Sequence, residues 1–166
     1  MVEKKKNLSD CKPVKLPNPQ SVRIGVVVSE WNDTITYAMR DGALQTLMDA
    51  GIDKNNIKVC SVPGSFELPT AAVMMLESDD KIDGVICIGC VIQGETRHFE
   101  FISHAVADGI VRAGVDYATP VIFGVLTCDT LQQAQDRSGG KHGNKGVEAA
   151  VSCLKMIALE RKLRNS

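Results

Sequence analysis

Gly84-Val85-Ile86-Cys87-Ile88-Gly89-Cys90-Val91-Ile92-Gln93-Gly94-Glu95-Thr96-Arg97-His98 runs from an unbroken apolar stretch into a polar turn and then towards a helix. The stretch over 84–91 is strand-length and apolar at every position but the glycines, the pattern of a strand buried on both faces of a parallel sheet. Ile102, Ala105, Val106, Gly109, Ile110 and Ala113 then recur at helical spacing and predict a helix over 96–115 with one buried stripe. A strand that feeds a helix in this way is one half of a βαβ unit.

The same alternation repeats on both sides. A β-branched run predicts a strand over 22–28, and Ile35, Ala38, Met39, Gly42, Ala43, Thr46 and Leu47 mark the buried stripe of a helix over 33–50 that Gly51 stops. A short strand over 56–61 and a helix over 65–79 follow, and a fourth strand is predicted over 120–126. Beyond it come a short helix over 131–136, a glycine-rich loop over 138–146, and a last helix with Val147, Ala150, Val151, Leu154, Ile157 and Ala158 on one face. Four strands separated by helices require right-handed crossovers, hence a doubly wound α/β domain with a four-stranded parallel sheet and helices on both faces. Residues 1–21, with Pro13, Pro17 and Pro19 among polar neighbours, read as an extended arm, and 22–166 as a single domain.

Composition narrows the function classes. The 166 residues carry 44% hydrophobic side chains, 4% aromatic ones and a net charge of −1, enough for one full core but without the basic face that nucleic acid needs. The apolar runs are strand-sized, so no membrane span is expected, and the basic start Met1 to Lys6 lacks the apolar stretch of a secretion signal. A cytoplasmic protein is expected. Cys60, Cys87 and Cys128 fall in or at the end of apolar stretches and read as small hydrophobes. Cys87 and Cys90 have C-x-x-C spacing, but on a strand positions three apart point to opposite faces, and no second ligand pair accompanies them, so neither metal nor redox motif is expected.

In a doubly wound fold ligands bind beyond the carboxyl ends of the strands, here the turns at 29–33, 61–65, 90–97 and 127–130. The first holds Trp31, either packing filler or a stacking platform for a planar heterocycle, with Asp33 in position to cap the following helix. The second, Val62-Pro63-Gly64-Ser65-Phe66-Glu67-Leu68-Pro69, puts a hydroxyl and a carboxylate on a helix start, with a proline tolerated only in the first turn. Capping alone explains Ser65 and Glu67, though not the whole composite. In the third, a helix start over Glu95 and Thr96 would hold an anion with His98 beside it to exchange protons; the bland alternative is a surface histidine. The loop at 138–146 fails the Walker pattern because His142 follows Lys141, and no G-x-G-x-x-G follows the first strand. That loop is either a flexible connection or a place where Arg137, Lys141 and Lys145 hold an anion supplied from elsewhere.

Taken in order, Trp31-Asn32, 62–69, 89–98, 121–125 and 137–146 resemble the lumazine synthase family, over residues 22 to about 160. The resemblance implies a three-layer, flavodoxin-like fold and a transferase of riboflavin biosynthesis that joins 5-amino-6-ribitylaminouracil to 3,4-dihydroxy-2-butanone 4-phosphate without cofactor or metal. It implies that Trp31 stacks on the pyrimidine, that Ser65, Phe66 and Glu67 line its ring and ribityl chain, and that the backbone of Cys90, Val91 and Ile92, with Phe123, completes the pocket. Glu95 and Thr96 would bind the phosphate, aided by Arg137; His98 would be the general acid/base; Lys145 would approach the substrates; Asn32, Gly94 and Glu148 would support, the last by orienting His98. Gln93 stands where Arg or Lys is common in the family, and Gly139 where Thr is frequent, which removes a charge near the phosphate and loosens the loop.

The resemblance also implies a homopentamer with sites between neighbours, a sixty-subunit icosahedral shell, association with riboflavin synthase, and an arm that adds to a neighbour's sheet. Two other classes use the same crevice: a flavin- or lumazine-binding storage protein or container shell, and an unrelated flavodoxin-like phosphate binder. A store needs the stack but no proton shuttle, so His98 beside the anion turn favours the enzyme.

Overall fold

The computed structural model describes residues 7–12, 14–78 and 81–165. Pro13 of the arm, Met1 to Lys6, and Asp79 at the expected end of the second helix lie outside the described residues. The main elements are β1 (Ile24–Ser29), α1 (Asp33–Asp49), β2 (Ile57–Val62), α2 (Leu68–Leu76), β3 (Gly84–Ile92), α3 (His98–Tyr117), β4 (Val121–Cys128), α4 (Leu131–Arg137), a small hairpin of β5 (Ser138–Gly140) and β6 (Gly143–Asn144), and α5 (Lys145–Arg164).

The four long strands form one parallel sheet in the order β2-β1-β3-β4, the expected doubly wound topology. β1 and β3 lie at its centre, and the chain winds outward from β1 to β2 before crossing back to β3. The switch point is therefore the gap between the carboxyl ends of β1 and β3, which the turns carrying Trp31 and residues 93–97 flank.

The two faces of the sheet close on separate cores. On one, Ile86, Ile88 and Cys90 of β3 pack with Met39, Ala43 and Leu47 of α1 and Ala150, Leu154 and Ile157 of α5. On the other, Val85 and Cys87 of β3 pack with Leu68, Ala72 and Met75 of α2 and Val106 and Ile110 of α3. Cys87 and Cys90 thus sit in different cores, as strand periodicity requires. The helices approach closely where a side chain is missing: a Cβ on Gly146 would fall inside the shell of the Met39 carbonyl oxygen, and one on Gly109 would come within 2.8 Å of the Pro69 ring.

Several boundaries differ from expectation, each for a local reason. The second helix opens as a 3-10 turn over Ser65–Glu67 and becomes α-helical only at Leu68, placing Pro69 in the first turn where its missing N–H costs nothing; it ends at Leu76. α3 starts at His98 rather than Thr96, because β3 runs on to Ile92 and the Gln93 N–H still bonds Cys128 O at 2.8 Å, leaving 94–97 to make the turn. Ala105 is exposed on α3 instead of joining the buried stripe. The N-cap position of α1 is held by Asn32, in a left-handed conformation (φ 61°), not by Asp33, whose Oδ1 accepts from Thr34 N at 2.7 Å. The loop over 138–146 is a two-stranded ribbon followed directly by α5, which Asn144 caps through Oδ1 to Gly146 N at 2.8 Å.

The described part of the arm lies on its own chain. Val14 and Leu16 pack on the α1/α5 core, and Arg161 donates to Pro17 O at 2.6 Å. Near its start Leu8 N–H donates to His142 O at 2.8 Å, and Ser9 Oγ accepts from Asn144 N–H at 2.9 Å. Among the described residues no helix is long and apolar enough to cross a membrane.

Candidate active site

The four turns at the carboxyl ends of the strands are tied to one another by three backbone bonds and one side-chain amide. Glu30 N–H donates to Val62 O at 2.8 Å and Trp31 N–H to Pro63 O at 3.2 Å, joining the first turn to the second. Asn32 Nδ2 donates to Cys90 O at 3.0 Å, joining the first to the third, and Gln93 N–H joins the third to the fourth. The left-handed backbone of Asn32 aims its amide across the switch point; asparagine is one of the few side chains that tolerates that conformation.

Between these turns opens a crevice of about 630 Å³, large enough for a substrate of drug size. Trp31 and Asn32 line it from the first turn; Gly64, Ser65, Phe66 and Glu67 from the second; Cys90, Val91, Ile92, Gly94 and Thr96 from the third; and His98, Phe99 and Ile102 from the start of α3. The lining is mostly apolar, and Trp31 leaves 72% of its surface uncovered there while Phe66 leaves 55%. Two aromatic faces open to solvent in one crevice suit a flat heterocycle.

The polar groups are few. Glu67 Oε2 accepts from Gly64 N–H at 3.0 Å, so its carboxylate does cap the turn while bordering the crevice. Ser65 is buried, and among the described residues its Oγ has no hydrogen-bond partner. An orphaned hydroxyl costs roughly 1–3 kcal/mol unless something satisfies it. Ser65 Oγ lies against Gly89, where a Cβ would fall 2.5 Å from it and 2.8 Å from Leu68 Cδ1. His98 is exposed on the first turn of α3, its N–H 3.4 Å from Thr96 Oγ1. Arg97 turns away from the crevice to pair with Glu100 at 3.3 Å.

Burial pushes the Cys90 thiol up to about 12, with Cys128 adding to the shift, so at neutral pH it is an uncharged wall of the crevice and not a nucleophile. Burial likewise raises Cys128, which nearby Arg137 partly offsets. Among the described residues no group of three or more His, Cys, Asp or Glu is placed to hold a metal ion.

Trp31, Asn32, Ser65, Phe66, Glu67, Cys90, Val91, Ile92, Gly94, Thr96 and His98 therefore converge. Glu95 lies in the same turn but outside the lining. Phe123, Arg137, Lys145 and Glu148 do not reach this crevice. Phe123 pairs opposite Cys87 in the sheet, Arg137 Nη1 donates to Gln133 O at 3.1 Å, and Lys145 Nζ pairs with Glu148 Oε1 at 2.8 Å. Glu148 is thus engaged with Lys145 and does not orient His98 within the chain. The sequence reading did not single out Gly64 and Phe99 as site residues, and took Ile102 only as core. The signal was available for both side chains: with His98 as the first helical residue, Phe99 and Ile102 stand one turn apart on the same flank.

Comparison with known proteins gives a consistent answer. The sequence model of the family described as 6,7-dimethyl-8-ribityllumazine synthase matches residues 21–161. Among curated proteins, the chain is 50% identical over 155 residues to the 6,7-dimethyl-8-ribityllumazine synthase of Porphyromonas gingivalis, covering 93% of this chain and 96% of that one. It is 52% identical over 153 residues to the protein of the same name from Cytophaga hutchinsonii, covering 92% and 95%. Its identity to that from Flavobacterium johnsoniae is 47% over 162 residues, covering 98% and 85%.

Proposed function

The chain belongs to the 6,7-dimethyl-8-ribityllumazine synthase family, and on that premise we propose how its crevice divides the work of the family's reaction. The activity is a transferase step of riboflavin biosynthesis: 5-amino-6-(D-ribitylamino)uracil condenses with 3,4-dihydroxy-2-butanone 4-phosphate to give 6,7-dimethyl-8-ribityllumazine, phosphate and water. The observation that carries the assignment of roles is the convergence of an exposed indole, the orphaned Ser65 hydroxyl and His98 on one crevice at the switch point.

The uracil ring stacks on Trp31, its polar edge takes the Ser65 hydroxyl and the backbone of Cys90, Val91 and Ile92, and the ribityl chain runs along Phe66 and Glu67. Asn32 and Gly94 shape the turns that hold it. The phosphate of the second substrate lies over the turn at Glu95 and Thr96, towards the first N–H groups of α3. There the ketone stands beside His98. The primary amine attacks the carbonyl carbon, the carbonyl oxygen leaves as water and an imine remains; the hydroxyl-bearing carbon then loses its proton as phosphate is expelled, the enol so formed shifts a proton to become a ketone, and the ribityl-bearing nitrogen attacks that carbonyl, whose oxygen leaves as a second water as the ring closes. These steps are mainly proton transfers, which one imidazole serves in both directions. The amine is already a nucleophile, so holding the two reactants together supplies much of the rate.

Phe123, Arg137, Lys145 and Glu148, which do not reach their own crevice, complete that of a neighbouring subunit, Arg137 against the phosphate and Lys145 near the pyrimidine. Assembly is supported by apolar side chains that the single chain leaves uncovered. Phe101, Ala105, Val111 and Val115 form an outward stripe on α3, and Met74 on α2 is exposed as well. A homopentamer, and twelve pentamers in a sixty-subunit shell, would cover them, and native mass measurement distinguishes these, with riboflavin synthase added to test its association. The activity is tested by mixing the protein with both substrates and no added metal: fluorescent bicyclic product should form well above the protein-free rate, and an equal rate would end the enzymatic reading.

A further inference from the structure

We propose that Asn7, Leu8 and Ser9 form a clip on the β5/β6 hairpin that positions Arg137 for phosphate capture in the neighbouring site. The proposal rests on the reading of Arg137 as a phosphate contact.

Arg137 is the residue before the hairpin and Lys145 the residue after it. A ribbon this short, with Gly139, Gly140 and Gly143 in it, has no stability of its own and takes its shape from what holds it. Three elements do so. From α4, His142 N–H reaches Asp136 O at 2.8 Å and Lys141 pairs with the Asp136 carboxylate at 2.9 Å. From α1, the Ala38 carbonyl accepts Asn144 Nδ2 at 3.0 Å. From the arm, Leu8 N–H donates to His142 O at 2.8 Å, and Asn144 N–H donates to Ser9 Oγ at 2.9 Å.

The two sides of the arm contact are matched. Asn7 Oδ1 accepts Ser9 N–H at 2.8 Å and Asn7 O accepts Asp10 N–H at 3.0 Å, a turn that leaves Leu8 N–H and Ser9 Oγ facing the hairpin. Opposite, Gly143 has φ 81° and offers bare backbone; a Cβ there would meet the Asn7 side chain and lie 2.6 Å from Ser9 N and 2.9 Å from Leu8 N. The Ser9–Asn144 bond is exposed and Leu8 and His142 are only half-buried, so these bonds add little to global stability. Their effect is on where Arg137 points.

The protein is compared with the Asn7→Ala/Ser9→Ala double variant, Ser9→Thr, Arg137→Ala, and the triple combination. The double variant is expected to raise KM for 3,4-dihydroxy-2-butanone 4-phosphate about three- to tenfold, with kcat and KM for the aminouracil changed less than about twofold. Ser9→Thr, which keeps the hydroxyl, should behave as the parent, and the double change should add nothing in the Arg137→Ala background. The clip is overturned, and the phosphate role of Arg137 stands, if Arg137→Ala raises that KM while the double variant leaves it alone, moves both KM values together, or lowers only kcat. If Arg137→Ala itself leaves that KM unchanged, the phosphate role of Arg137 fails and the clip falls with it.

Discussion

The strand-end crevice and the hairpin region around Arg137 are both parts of the proposed site, yet the chain holds them by different means. In the crevice, backbone groups of four strand-end turns are bonded to one another across the sheet, and the reacting side chains need only stand on them. Around the hairpin, two backbone bonds at His142 are supplemented by side chains: Asp136, Gln132, Lys141 and Asn144 are partners of each other or of nearby carbonyls. The first region is a rigid floor for one substrate. The second is an adjustable hand built largely on side-chain pairs.

His98→Ala should give the largest effect, because it removes the proton shuttle and leaves the floor intact. A fall in kcat of roughly 10²- to 10⁴-fold is expected, with binding of the aminouracil retained. Single-turnover fluorescence together with equilibrium titration checks this; a variant that loses binding and turnover in parallel would mean that His98 holds substrate rather than moving protons.

The next effect probes the base of the hairpin region. Gly146 meets the Met39 carbonyl where α5 crosses α1, and neither backbone can retreat without parting the two helices. Gly146→Ala should cost roughly 2–3 kcal/mol of folding free energy, read as a lower urea midpoint at unchanged m-value. A midpoint that does not move would show that the seat of the hairpin is as adjustable as its tip.

The same contrast decides what the sequence made legible. Strand and helix order could be read because each depends on local apolar period: the 84–91 run gave β3, and the opposite placement of Cys87 and Cys90 followed from strand periodicity alone. Trp31, Ser65 and His98 could be placed because a doubly wound sheet sends every strand-end turn to one edge. What eluded the reading depends on distant partners. Asn32 takes the cap position because Cys90, 58 residues on, accepts its amide, whereas the sequence offers Asp33 as the better local cap. α3 starts late because β4 holds Gln93 in the sheet. The hairpin looked like a loop because the ordering groups sit in α1, α4 and the arm. Within the chain Glu148 meets Lys145, one turn away, rather than His98, a partner the sequence did not point to.

A smaller effect tests the crevice floor. Asn32→Ala removes the bond to Cys90 O and leaves a left-handed alanine, about 1 kcal/mol from each cause. Asn32→Gly removes only the bond and should cost about half as much. If the two variants melt together, the backbone conformation carries no strain and the cross-tie alone matters; if neither lowers the melting temperature, the floor is not held by this bond.

The smallest effect belongs to the hairpin and appears as pH dependence. The Lys141 ammonium first, and then the Gln132 amide, hold the Asp136 carboxyl below its usual value against the opposing effect of burial. A carboxylate whose value is lowered by folding contributes stability that is fully present above its unfolded value, about 4, and that is lost as the pH falls through the folded value. Melting temperatures of the parent and Asp136→Asn should therefore differ most near neutrality and converge on acidification towards about pH 3. Because Asp136 anchors Lys141 and, through its backbone, His142, the same variant should loosen the hairpin, raising hydrogen exchange at 138–144 while that of the crevice turns is unchanged. Exchange that rises equally in both regions would mean that floor and hand open as one unit, and the distinction between them would be lost.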